Sequence, residues 1–172
     1  DLHSILDAFA HYFHNGQITY EAFVDGVAYG GREYVEHPET FGVPERNVAY
    51  VQSTRKPVDD IIAFLSEHEE ELDSLDIVAA DTALYQKIEE QIPLVTKSVY
   101  TTSAVSYRLE ISHKNSGKAT GLAYVLKLLD ITPEETVAFG DGDNDAEMLE
   151  FAGLGVAMEN ATENCKAAAD IV

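Results

Sequence analysis

The sequence predicts an α/β protein in two parts, the second built on a parallel sheet covered by helices. Three observations carry this. After residue 117, helical and strand-like runs alternate with short connections, the pattern of parallel strands joined by crossover helices. Before residue 112, two β-rich runs meet at Asp25-Gly26, a hairpin signal. Between these parts His113-Lys114-Asn115-Ser116-Gly117 is polar and turn-like, which divides the chain into residues 1–112 and 113–172.

The elements follow in order. Ile5, Leu6, Phe9, Ala10 and Phe13 recur at helical spacing and predict a helix over residues 3–15, stopped by Gly16. Residues 18–24 and 27–29 are the hairpin strands, ended by Gly30-Gly31; a two-residue Asp-Gly turn needs positive φ at both positions. Pro38, Gly42 and Pro44 break residues 32–55 into a loop with one short helix. Pro57 suits the first turn of a helix carrying Ile61, Ile62, Phe64 and Leu65. The acidic stretch 67–76 reads as a solvated helix end and linker, 76–80 as a strand, and 82–92 as a helix that Pro93 follows. Residues 99–101 and 104–111 read as strands of a hairpin. In the second, Val105, Tyr107, Leu109 and Ile111 share one face, and Arg108 and Glu110 the other. Beyond the boundary come a helix near 117–129, a strand at 136–139, a helix near 145–152, a strand at 154–157 and a helix near 162–169.

Composition narrows the function. Eleven Lys+Arg against 31 Asp+Glu give a formal charge of −20 over 172 residues. Phosphate backbones are bound by clustered Lys and Arg, and no such run occurs, so nucleic acid is not the expected partner. The same excess repels anionic membranes, and no apolar run approaches the roughly 18 residues of a spanning helix. Cys165 is the only cysteine, so no internal disulfide forms, which fits a reducing cytoplasm.

The strongest local signal is Gly140-Asp141-Gly142-Asp143-Asn144-Asp145, directly after a strand. In open α/β sheets, sites form at the carboxyl ends of strands, and a helix N-terminus follows here. Gly140 and Gly142 allow a tight turn and close approach to a ligand. Crowded carboxylates repel one another, which a hard cation such as Mg²⁺ relieves. The plainer alternative is helix capping by Asp143 or Asn144, with Asp145 favoured by the helix dipole; that leaves Asp141 unexplained. Other motifs fail on spacing. An EF-hand loop would need Gly and Glu where Ala146 and Ala152 stand, and a dinucleotide fingerprint would need Gly in place of Asp145. A P-loop would need Gly and Ser/Thr in place of Ser112 and Ala119.

Lys118 is the second signal. With Ser116 as N-cap and Ala119, Leu122, Leu126 and Leu129 as an apolar stripe, it lies in the first helical turn, where the dipole disfavours a cation. An anion held between Lys118 and the Asp141 loop would compensate; the alternative is an exposed lysine that tolerates a small penalty. His11 and His14 share a polar helix face, and Cys165 reads as inert.

Taken together, these residues resemble the Cof-like phosphatases of the haloacid dehalogenase superfamily. Lys114-Asn115-Ser116-Gly117-Lys118-Ala119-Thr120-Gly121-Leu122 is similar to that family's third motif, Lys-Gly-Val-Ser-Lys-Gly-x-Ala-Leu. The run from Gly140 through Asp145 to Met148-Leu149 resembles its fourth, Gly-Asp-x-x-Asn-Asp-x-x-Met-Leu, and Gly155 to Ala161 resembles the segment after it. The resemblance is close over residues 112–172. Residues 1–111 resemble the family's inserted α/β cap in pattern and placement. It implies a cap domain over residues 1–112 and the C-terminal half of a Rossmann-like core over 113–172.

The resemblance also implies a Mg²⁺-dependent phosphatase of small phosphorylated metabolites, sugar phosphates among them, working through an aspartyl-phosphate. Asp141 would ligate Mg²⁺, Asp145 would support the metal directly or through water, Asn144 would touch phosphate or orient the site, and Lys118 would neutralise phosphate and nucleophile charge. Phosphoryl transfer needs such positioning and neutralisation more than acid–base work.

The family's nucleophile motif, Asp-x-Asp-Gly-Thr, does not occur in the 172 residues, and Ala119 replaces a usual Gly. With Asp1 opening straight into a helical pattern and Val172 closing an apolar stretch, the expectation is a fragment. Alone it would be inactive, and it would self-associate through an exposed core edge. The competing expectation is a non-catalytic α/β binding or interaction module derived from the same fold.

Overall fold

The Asp25-Gly26 hairpin forms as its sequence demands. Asp25 and Gly26 adopt φ of 50° and 70°, and β1 (Ile18–Val24) pairs antiparallel with β2 (Val27–Gly31). The computed structural model describes residues 1–172, apart from the side chain of Ala104. The chain divides into two units, Asp1–Thr101 with Val105–Lys114, and Thr102–Ala104 with Asn115–Val172. Among the described residues no helix is long and apolar enough to cross a membrane.

β3 (Arg55–Val58), β4 (Leu72–Ala79), β5 (Val99–Val105) and β6 (Arg108–His113) join the hairpin in one mixed sheet, ordered β3-β2-β1-β4-β6-β5. Helices α1 (Leu2–His14), α4 (Ile61–Glu67) and α5 (Thr82–Val95) cover one face. Phe9, Tyr20, Leu65, Ile77, Ile88 and Leu109 are fully buried there. A smaller core on Val78 packs α2 (Arg32–Glu36), a 3-10 turn (Pro38–Phe41) and α3 (Glu45–Thr54) through Tyr34, Val35, Phe41 and Val51.

Four expectations are corrected here. Residues 32–55 hold two helices and a 3-10 turn, because Pro38 starts its turn and Pro44 immediately precedes α3; neither breaks an element. Pro57 lies in β3, not in a helix. This is the sheet's edge strand, where a missing N–H is tolerated. The helix begins at Ile61 instead, its N-terminus capped by the Asp60 carboxylate, which accepts from the Ile62 and Ala63 N–H groups at 3.0 Å each. β4 starts at Leu72, inside the expected linker, where Leu72 pairs with Val24 across a bulge. Pro93 sits within the last turn of α5, which continues to Val95.

The face carrying Tyr34 holds an unusual row. Glu21 lies opposite Asp76, and Asp76 opposite Glu110, on three neighbouring strands. Like charges directly opposite destabilise a sheet. Arg55 answers Glu21 with two hydrogen bonds of 2.9 and 3.0 Å, and Tyr34 donates to the same carboxylate at 2.5 Å. Arg108 reaches Asp76 at 3.2 Å and Glu110 at 3.0 Å. Three carboxyls thus meet two guanidiniums, and the Asp76 carboxyl is pushed up to about 8. Burial is the main cause; Arg108 opposes it, and Glu21 and Glu110 add to it.

A pH dependence follows. Folded Asp76 keeps its proton well above the ordinary value of 3.8. Its contribution is therefore complete below about pH 4 and is lost as pH rises toward 8, because only the unfolded chain ionises freely there. Urea midpoints of the parent should fall between pH 5 and pH 8 more steeply than those of Asp76→Asn. Parallel profiles would contradict a protonated Asp76.

In the second unit α6 (Lys118–Leu129), a 3-10 turn (Pro133–Glu135), β7 (Val137–Gly140), a 3-10 turn (Asp143–Asp145), α7 (Ala146–Phe151), β8 (Leu154–Ala157) and α8 (Glu163–Ala168) succeed one another. β7 and β8 are parallel, with Val137 opposite Leu154 and Gly140 opposite Ala157. Ala138, Leu149, Ala157, Ala161 and Cys165 form their core. Two details differ from expectation. Gly117, not Ser116, is the N-cap of α6, with φ 123°, a conformation that favours glycine. Of the expected stripe only Leu126 is fully buried, and Leu129 is 61% exposed.

Candidate active site

The carboxyl end of β7 turns sharply at Gly140, and the turn closes around one side chain. Asp145, 4% exposed, folds back beneath the loop that precedes it. Its Oδ2 accepts from the backbone N–H groups of Asp141 at 2.9 Å and Gly142 at 3.0 Å. Its Oδ1 is bonded to Lys118 Nζ, from the first turn of α6. A Cβ on Gly140 would lie 2.4 Å from the Asp145 Cβ, so the arrangement requires glycine there.

In this geometry the Asp145 side chain makes no cap bond to α7. Its carboxylate serves the preceding loop and Lys118. It also accounts for a lysine in a helical first turn, because an internal carboxylate offsets the unfavourable dipole. Burial pushes the Asp145 carboxyl up, but the Lys118 hydrogen bond and the two loop N–H groups outweigh it and hold the group below the usual carboxylate range. Burial pushes the Cys165 thiol up, and the carboxylates of Asp145, Asp141 and Asp143 reinforce this, which leaves it a poor nucleophile.

The loop is braced from the far side as well. Met158 N–H donates to the Gly140 carbonyl at 2.9 Å and Thr162 N–H to the Asp141 carbonyl at 3.0 Å. Thr162 Oγ1 donates to Asp143 at 2.6 Å, and Asn160 Nδ2 to Asp141 Oδ2 at 3.3 Å. Thr162 also caps α8 through the Cys165 N–H. Asn160 and Thr162 were not among the expected site residues. Their signal was positional: they follow β8, the parallel neighbour of β7, so they emerge at the same sheet end.

Of the four expected residues, Lys118, Asp141 and Asp145 are joined by direct bonds. Asn144, half-buried, sits in the same turn without a hydrogen bond to them. The set brings together one cation, an exposed carboxylate and turn backbone. Among the described residues no three His, Cys, Asp or Glu side chains converge as a metal cage. Both Asp145 oxygens already carry partners, whereas Asp141 is exposed and its Oδ2 has one weak bond. Hard oxygen donors in this small number fit Mg²⁺, which commonly takes one or two carboxylates and completes its shell with water and phosphate oxygens.

The chain is similar to known hydrolases and phosphatases. The sequence pattern of the haloacid dehalogenase-like hydrolases matches residues 3–172. A phosphoglycolate phosphatase of Methanopyrus kandleri is 51% identical over 67 residues, 39% of this chain and 28% of that protein. Phosphatase YwpJ of Bacillus subtilis is 46% identical over 70 residues, 41% of this chain and 25% of that protein. In three dimensions a haloacid dehalogenase-like hydrolase from B. subtilis superimposes with a TM-score of 0.77 at 24% identity, over 100% of this chain and 65% of that one. The chain therefore spans under two thirds of that hydrolase, and its matches to the two phosphatases cover about a quarter of each.

Proposed function

The chain belongs to the haloacid dehalogenase-like hydrolases, and from that premise we propose that it is the cap and the C-terminal core half of a Mg²⁺-dependent phosphatase. Residues 1–112 would form the cap, and 113–172 the core half. The substrate would be a small phosphorylated metabolite such as a sugar phosphate, hydrolysed in the cytoplasm. The observation that carries the reading is the bracket made by Lys118, Asp145 and the N–H groups of Asp141 and Gly142. It fixes a cation and a loop carboxylate at the carboxyl end of a parallel strand.

In this reading Lys118 neutralises charge on the phosphoryl group and on the nucleophile. Its side chain is 47% exposed, and it has two further N–H donors beyond the Asp145 bond. Asn144 orients the phosphate. Asp145 positions Lys118 and the loop. Asp141 would hold Mg²⁺, with Asp145 backing the site from behind the loop. The bound metal would supply charge neutralisation during transfer. The nucleophilic aspartate that forms an aspartyl-phosphate is not in an Asp-x-Asp-Gly-Thr motif of these 172 residues. It would come from chain outside them, so the 172 residues alone would be inactive. Mg²⁺-dependent phosphate release from an aryl phosphate by the product of the complete reading frame tests the proposal. No release from any of a broad set of phosphate esters would contradict it.

The apolar surface of the second unit supports the same reading. Val137 and Phe139 of β7 are 54% and 63% exposed, and Tyr124, Leu128 and Leu129 of α6 are exposed too. Among the described residues β7 pairs only with β8. Uncovered strand edges and apolar faces associate. Sedimentation velocity on the isolated chain should show a concentration-dependent rise toward dimer or larger species; a monomer at every concentration would contradict this.

A further inference from the structure

The first unit contains a cavity of about 640 Å³, within the range of small-molecule sites. It lies where the end of α1, the start of β1 and the first turns of α2 and α4 come together. Its charge is one-sided. Glu33, Glu36, Asp59 and Asp60 line it against the single guanidinium of Arg32 and the imidazole of His37. Arg32 is already countered by Asp59 at 2.8 Å and Glu36 at 3.6 Å. Asp60 is engaged with the N-terminus of α4. The Glu33 side chain makes no hydrogen bond or ion pair among the described residues.

A second, independent feature lies in the wall. Thr19 is 3% exposed and lines this cavity. Its hydroxyl makes no hydrogen bond among the described residues. The hydroxyl is reached from the cavity rather than sealed in the core, so a ligand bond there replaces one to water. The remaining wall is apolar and aromatic, with Phe13, Ile18 and Phe41.

We infer that this cavity binds a small organic cation, an ammonium group carried on an apolar body. The ammonium donates to the Thr19 hydroxyl and is countered by Glu33, while the body packs on Phe13 and Phe41. An anion finds no free cation here, because Arg32 is spoken for. A neutral molecule leaves the surplus of carboxylates unanswered. The chain's formal charge of −20 adds a general attraction for cations. The site lies wholly within the first unit and is independent of the phosphatase reading.

Calorimetric titration of the 172-residue chain with benzylamine, benzyl alcohol and benzoate tests this. Benzylamine should bind saturably at one site, and the other two should not. Thr19→Val and Glu33→Gln should each weaken benzylamine about tenfold. Thr19→Val exchanges an unpartnered hydroxyl for a methyl of the same shape and should keep the thermal midpoint. Glu33 is exposed, so its substitution leaves the fold intact. The inference is overturned by absent saturation with benzylamine, by equal binding of benzyl alcohol or benzoate, or by parental affinity in either variant.

Discussion

Asp145→Asn, made in the product of the complete reading frame, is expected to lower phosphate release by about two to three orders of magnitude, the loss typical of removing one preorganised electrostatic contact from a transition state. The reason lies in the number of bonds. Asp145 accepts from Lys118 on one oxygen and from two backbone N–H groups on the other. An asparagine has one acceptor oxygen. If that oxygen keeps the loop, the amide NH₂ faces the Lys118 ammonium; if it turns to Lys118, the NH₂ faces two N–H donors. Either way one side of the bracket opens and a buried donor set loses its partner. Steady-state kinetics with circular dichroism as the folding control checks this. Turnover within about threefold of the parent would mean that Asp145 positions nothing the reaction uses.

The largest effect on stability should come from the other unit. Glu21→Ala is expected to destabilise the chain by about 3–5 kcal/mol, because it leaves Arg55 buried without its carboxylate. The pair is fully sequestered, with side chains 3% and 0% exposed, and is joined by two hydrogen bonds. Tyr34 would lose its acceptor as well, and burial with the neighbouring Glu21 charge already pushes that phenol well above its ordinary value. Arg55→Met should cost less, because Glu21 keeps the Tyr34 hydroxyl at 2.5 Å and the Arg108 guanidinium at 3.6 Å. The double substitution Glu21→Ala with Arg55→Met should recover part of the loss, since no charge is then left unpaired. Urea unfolding of the four proteins closes the cycle. A loss below about 1 kcal/mol in both single variants would show that the pair is solvated in solution.

The two halves of the molecule were unequally legible in the sequence. The Gly140–Asp145 loop stood out because its chemistry is local: two glycines and three carboxylates within six residues, directly after a strand. The bond between Lys118 and Asp145 spans 27 positions, so spacing alone leaves open an anion beside Lys118 or an exposed lysine and does not reveal that a carboxylate of the chain itself sits there. The Glu21–Asp76–Glu110 row could not be read at all, because it depends on the register of three strands distant in sequence. Pro57 misled for the opposite reason. Its local preference suits a helix start, and only the knowledge that β3 is an edge makes the strand acceptable. Periodicity places Leu129 on the apolar stripe of α6, yet it is exposed. Periodicity names the apolar face of a helix but not what covers it.

The most direct test of the phosphatase account is Mg²⁺-dependent phosphate release from one aryl phosphate, measured side by side for three proteins: the 172-residue chain, the product of the complete reading frame, and that product carrying Asp141→Asn. The account predicts release by the complete product only, with Asp141→Asn abolishing it. Release by the 172-residue chain itself would contradict it, because a nucleophile would then lie within these residues. Release undiminished by Asp141→Asn would remove the loop carboxylate from the chemistry, and a silent complete product would favour a binding module built on the same fold.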